Sequence, residues 1–173
     1  MERQDKCKIA NVLCHSFGEF MPRLLLLSLS IILLFGCATQ KNSYKGDADV
    51  SLGSGEGFLI MGVDTNFPLE TIVLSAPGIK SITLSKNDLK SGKNFILVNL
   101  EPGEYTISEI EVSSNYYFSM KKENWRFVIS PHSINYAGNL KVRTEHMFSN
   151  HAYFAMMNES SIALEFLQEK FPS

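Results

Sequence analysis

Apolar and polar positions divide this chain into four regimes. Leu24 to Phe35 is an unbroken block of apolar residues and Ser. Ala38 to Ser54, "ATQKNSYKGDADVSLGS", is polar and short of branched apolar residues. From Gly57 to about residue 145, short apolar runs alternate with turn residues, and over 158–171 the period changes once more. Each regime predicts a different kind of structure.

The third regime predicts strands. "GFLIMGVD" (57–64) is a continuous apolar run, the pattern of a strand buried on both faces. "ETIVLSAPG" (70–78), "KSITLSKND" (80–88), "NFILVNL" (94–100) and "EYTISEIEV" (104–112) follow, then "WRFVIS" (125–130) and "INYAGNLKV" (134–142). Such spacing, broken by Gly, Pro, Asn and Ser, predicts a mainly β fold, an antiparallel β-sandwich of about seven strands. Within 104–112 the apolar set moves from Tyr105 and Ile107 to Ile110 and Val112. That change of phase predicts a bulge near Ser108-Glu109, because a one-residue slip turns every later side chain over. In 134–142 the phase reads as unbroken, with Ile134, Tyr136, Gly138, Leu140 and Val142 inward. Gly138 would then leave room for Trp125 or Tyr105.

"NESSIALEFLQEKF" (158–171) places Ile162, Ala163, Phe166 and Leu167 on one stripe, predicting one C-terminal amphipathic helix. Asn158 or Ser160 can cap it, and Pro172 follows its end. The stripe either docks on the sandwich or, through Ile162 and Phe166, meets a partner protein. The stretch 146–157, rich in Met and aromatics, reads as one more strand or as an adaptable contact surface.

The apolar block has the length of a signal-peptide core. About 12 residues of helix span roughly 18 Å, short of the ~30 Å hydrocarbon layer. Arg23 precedes it and small residues close it. The closing "LFGC", Leu34 to Cys37, resembles the lipobox of bacterial lipoproteins, with Phe35 bulkier than the usual residue there. That resemblance implies cleavage between Gly36 and Cys37 and acylation of Cys37, palmitate included. Several chains at about 0.8 kcal/mol per buried CH₂ would hold a domain on a membrane without a protein span. Ala38 in place of Asp after the cysteine implies delivery to the outer membrane. Residues 1–20 form a polar leader that such signals seldom carry, so Met21-Pro22-Arg23 reads as the true start and 1–20 as an over-extended frame. The organisation expected is therefore 21–36 signal, 37–56 lipidated cysteine and flexible tether, 57–145 sandwich, and 146–173 connecting segment and helix.

A second resemblance lies in "LEPGEYTI" (100–107) and "FVISPHSINYAGNL" (127–140). The Leu-x-Pro-Gly-x-Tyr unit is similar to the hairpin of transthyretin-like and carboxypeptidase-regulatory-like β-sandwiches, found also in bacterial lipoproteins. Pro102-Gly103 suits a type II turn. His132 stands where a turn glycine would be usual. The resemblance implies a fold and brings no chemistry with it.

Composition narrows function further. Of 16 Lys+Arg and 18 Asp+Glu, four basic and three acidic residues precede Cys37, leaving a mature chain of charge −3 with no basic block. Nucleic acid is not an expected partner. No cysteine follows Cys37, which removes disulfides and thiol nucleophiles. His132, His146 and His151 are dispersed, so no metal and no cofactor are expected. No nucleophile motif is present, and Glu109 and Glu111 read as a solvated strand face, so the chain is not expected to be an enzyme. Two functions fit. The first is a non-catalytic envelope lipoprotein that scaffolds a protein partner through the sandwich edge or tail helix. The second is a sandwich binding glycan or cell-wall polymer through the 116–125 aromatics, Tyr116, Tyr117 and Trp125.

Overall fold

The computed structural model describes residues 38–47, 50, 53–120, 125–146, 149 and 151–172. Gly36 and Cys37, the signal and the leader lie outside the described residues, as do Lys121 and Lys122.

All seven expected strands form. They are β2 (Gly57–Thr65), β3 (Thr71–Ala76), β4 (Ile79–Ser85), β5 (Gly92–Leu100), β6 (Gly103–Ser113), β8 (Arg126–Ile129) and β9 (Ile134–Thr144). Three more join them: β1 (Thr39–Lys41), β7 (Tyr116–Ser119) and β10 (Ala152–Met157). One sheet runs β1-β4-β3-β6-β7, with β8 on the same β6; the other runs β10-β9-β2-β5. The strand number is thus ten among the described residues rather than about seven. The sheets are mixed rather than antiparallel, because β1 pairs β4 and β2 pairs β9 in parallel.

The core lies between the sheets. Leu59, Met61, Val63, Val98, Leu140 and Val142 of one sheet meet Ile72, Leu74, Leu84, Ile107, Ile110 and Val112 of the other. Burial of these side chains, about 1.5–3 kcal/mol each, is the main stabilising term. The bulge in β6 falls at Ser108. Val73 pairs Glu109 while the next residue, Leu74, pairs Ile107, so Ile107 and Ile110 both face inward.

Strand β2 is buried on both faces, as its continuous apolar run requires. Leu59, Met61 and Val63 face the sandwich core, while Ile60 faces the opposite way. Ile60 and Leu97 are covered by the helix α1 (Ser160–Lys170), whose Ala163, Phe166 and Leu167 pack on them. Phe166 stacks on Phe95 with ring centres 5.1 Å apart. The helix entry is tied down by Glu159: its backbone N–H donates to the Tyr136 hydroxyl at 2.9 Å. Its carboxylate accepts from the Asn139 amide and pairs with Lys93 at 3.6 Å. The Glu159 side chain makes no cap bond, but the Asn158 side-chain oxygen accepts from the Ser160 N–H at 3.3 Å, and the first turn holds no acid.

Two expectations fail here for physical reasons. Strand β9 does not keep one phase. Ile60 pairs Tyr136 but Gly62 pairs Asn139, so β9 carries an extra residue, and Gly138 at φ 108° supplies the backbone conformation. Tyr136 therefore faces the helix side while Leu140 and Val142 face the core, and Ile134 is exposed. Gly138 makes room for Met156, not for Trp125 or Tyr105: a Cβ there would lie 2.7 Å from the Met156 sulfur.

The segment expected to be a tether is docked instead. After pairing β4, the chain reaches the other sheet, where the Tyr44 N–H donates to the Leu97 carbonyl at 2.9 Å. Ser43 is buried; its N–H donates to Asp88 at 2.7 Å and its hydroxyl accepts from the Leu97 N–H at 3.0 Å. Asp88, itself buried, also pairs with Lys45. The segment covers the open edges of β4 and β5. Backbone pairing, one buried carboxylate and the Tyr44 ring, edge-on to Phe58 at 6.0 Å, hold it in place.

Candidate functional site

The aromatic segment after β6 divides by strand alternation. A two-residue turn, Ser114-Asn115, leads into β7, and successive side chains then point to opposite faces. Phe118 points inward and meets Phe154 of β10 edge-on at 5.2 Å, closing one side of the sandwich. Tyr117, paired with Glu111, points outward and is 63% exposed, and Tyr116 is also exposed. Trp125 is half-buried against the core, and its carbonyl accepts from the Ile107 N–H at 3.1 Å. Of the three aromatics expected to bind, Tyr116 and Tyr117 are exposed and Trp125 is half-buried against the core.

The helix stripe divides in the same way. Phe166 stacks on Phe95, meets Phe171 edge-on and packs on the sheet, and it remains half-buried. Ile162 and Leu164 flank the packed face on either side of buried Ala163 and are exposed, Leu164 more than Ile162. Strand β10 is an edge strand with sequence AYFAMM, free of charge and proline. Tyr153 and Met157 are exposed along it, while Phe154 and Met156 pack inward.

A cleft of about 330 Å³ opens where β1, the β3–β4 turn and the β5–β6 turn come together. Thr39, Lys41, Glu56, Lys80 and Glu101 line it, with Ile79 and Ile82 as its apolar floor. Asn99 links two of its charges. Its amide donates to Glu56 at 2.6 Å, and its carbonyl oxygen accepts from Lys41 at 3.1 Å. The Gly53 N–H also donates to Glu56, at 2.7 Å. The Asn99 hydrogen bond, opposed in part by burial and aided by Gly53 and Lys41, lowers the Glu56 carboxyl below its ordinary value. Glu56 is therefore an ionised acceptor with both its geometry and its charge used structurally. Asn99 was visible in the sequence only as a polar residue interrupting the run Ile96–Leu100.

Behind this cleft lies Tyr105, fully buried, stacked on Phe127 at 5.8 Å and donating to the Glu101 carbonyl at 3.0 Å. Burial, with the negative charges of Glu101 and Glu56, raises its hydroxyl to about 12. The tyrosine of the Leu-x-Pro-Gly-x-Tyr unit thus closes the turn that precedes it.

His132 is exposed in the β8–β9 turn at φ 53°, and His146 and His151 are exposed beyond β9. Among the described residues no group of three His, Cys, Asp or Glu could hold a metal ion. Thr71 donates to Glu111 at 3.3 Å, tying that acid to the strand face. Among the described residues no helix is long and apolar enough to cross a membrane.

No protein-family model, no curated protein and no solved structure matches the chain.

Proposed function

We propose that this chain is an envelope lipoprotein, anchored through Cys37 after cleavage at Gly36, whose sandwich is a non-catalytic module that holds a protein partner at the outer membrane. The observation that carries the partner surface is the open edge of β10. Six uncharged residues present unpaired backbone groups flanked by exposed Tyr153 and Met157, and natural edges of this kind are normally blunted by Lys, Pro or a bulge. An extended segment of another protein can add to such an edge through main-chain hydrogen bonds. The tail helix uses Ala163, Phe166 and Leu167 of its stripe to pack on Ile60, Leu97 and Phe95.

A cut before Cys37 leaves intact every strand among the described residues, the first of which, β1, starts at Thr39. The transthyretin-like resemblance is supported by two facing sheets and by the role of Tyr105 in closing its turn.

The test is crosslinked co-purification from native membranes of the tagged chain beside Tyr153→Lys/Met157→Lys. Loss of a stoichiometric partner with folding retained supports the edge; an unchanged partner set rejects it. A second reading rests on Tyr117, exposed on the outer face of the β6–β7 hairpin, with Tyr116 also exposed next to the turn, where aromatic rings can stack on sugar. Tyr117→Ala would then weaken retention on cell-wall polysaccharide, and unchanged retention would reject it.

A further inference from the structure

The docked segment Thr39–Lys45 removes the slack between the anchor and the fold. Two peptide units separate Cys37 from Thr39, a reach of at most about 7.6 Å between their Cα atoms. From Thr39 onward the chain is held: Thr39 pairs Ile82, Lys41 donates to Asn99, and Ser43 donates to Asp88. If Cys37 carries acyl chains, the end of the sandwich at which β1 starts must lie at the lipid surface.

Topology says which end that is. Strand β1 is parallel to β4, so Thr39 sits beside the β3–β4 turn at Pro77-Gly78. The same end holds the β5–β6 turn at Glu101-Pro102 and the start of β2. The β8–β9 turn at Pro131-His132 belongs there too, since Ile129 pairs Gly103 and the His132 N–H donates to the Glu56 carbonyl. Three of the chain's six prolines lie in these three turns, whose backbone they stiffen. Strand β6 runs from Gly103 at this end to Ser113 at the other, eleven residues or about 33 Å. Tyr116 and Tyr117 follow at that far end.

We infer that the sandwich stands end-on on the membrane, with the Pro77–Lys80, Glu101-Pro102 and Pro131-His132 turns against the lipid headgroups and Tyr116–Tyr117 presented away from them. This rests on the proposed acylation of Cys37. Charge does not set the orientation, since Lys41, Lys80 and Arg126 near this end are offset by Glu56, Glu101 and Glu104. Covalent reach sets it, so the orientation is independent of salt.

The test uses the acylated chain in phosphatidylethanolamine–phosphatidylglycerol vesicles containing a headgroup nitroxide lipid. No cysteine follows Cys37, so Lys80→Cys and Ser114→Cys each accept one fluorophore. With the two sites about 25 Å apart along the strands, quenching at position 80 should exceed that at 114 by at least about threefold. Insertion of about ten Gly-Ser residues between Ala38 and Thr39, adding roughly 30 Å of reach, should erase the difference. Equal quenching in the acylated, uninserted protein overturns the inference alone. An intact mass without acyl chains overturns it together with the anchor.

Discussion

The Tyr105 hydroxyl donates to the Glu101 carbonyl across the turn that joins β5 to β6, at 3.0 Å. Tyr105 is wholly buried, so this bond satisfies the one polar atom of a large core side chain and fixes the turn beside the cleft.

Tyr105→Phe should cost about 1 kcal/mol at neutral pH, the net worth of one intramolecular hydrogen bond. It should also change the alkaline limb. In the unfolded chain tyrosine ionises near 10, while in the fold it ionises near 12, so the folded state keeps a proton that the unfolded state loses. The contribution is whole below pH 10 and falls as pH rises through 12, by on the order of 2–3 kcal/mol in all. Urea unfolding between pH 8 and 12 should show this slope in the parent and a shallower one in Tyr105→Phe.

Phe166→Ala should destabilise by about 2 kcal/mol, less than the about 3–5 expected of a fully buried phenylalanine, because Phe166 is only half-covered. Ile162→Lys should cost less, under about 1 kcal/mol, since Ile162 sits at the margin of the packed face and is 36% exposed. Chemical denaturation of the two variants separates a docked stripe from a free one.

Asp88→Ala removes the acceptor of the Ser43 N–H and the partner of Lys45. Amide exchange at Ser43 should accelerate strongly, and with it exchange at Tyr44, whereas Ile107 and Val98 in the core should stay protected. Uniform loss of protection would show the leader to be part of the cooperative core.

His132 occupies left-handed backbone at φ 53°. His132→Gly should be neutral or stabilising by up to about 1 kcal/mol, as relief of the steric cost is partly offset by unfolded-chain entropy. His132→Val should destabilise by more than about 1 kcal/mol, because a branched Cβ fits that region poorly. Thermal unfolding of both variants reads the difference.

Much of this fold was legible in the pattern of the chain. Seven strands announce themselves by apolar runs between turn residues, and Ser108 reveals its bulge because the apolar set changes phase around it. The two-sided burial of β2 was equally plain, and α1 is the cover it needs. Strand β1 was hidden because Thr39-Gln40-Lys41 has no apolar side chain; it is held by backbone pairing and by Asp88, some 45 positions away. Strand β9 misled because a bulge at Gly138 reverses its faces without breaking its alternation. At the candidate site, Tyr116 and Tyr117 could be picked out as exposed aromatics, but Trp125 and Phe166 could not be told from them by residue type. The Glu56–Asn99–Lys41 chain joins three segments that no local pattern relates.

Mass analysis of the N-terminal peptide of the protein extracted from native membranes tests the anchored account most directly. A peptide that begins at Cys37 and carries acyl chains on its thiol and amine is the expected result. A chain that retains residues 24–36, or an unmodified Cys37 thiol, would contradict the account.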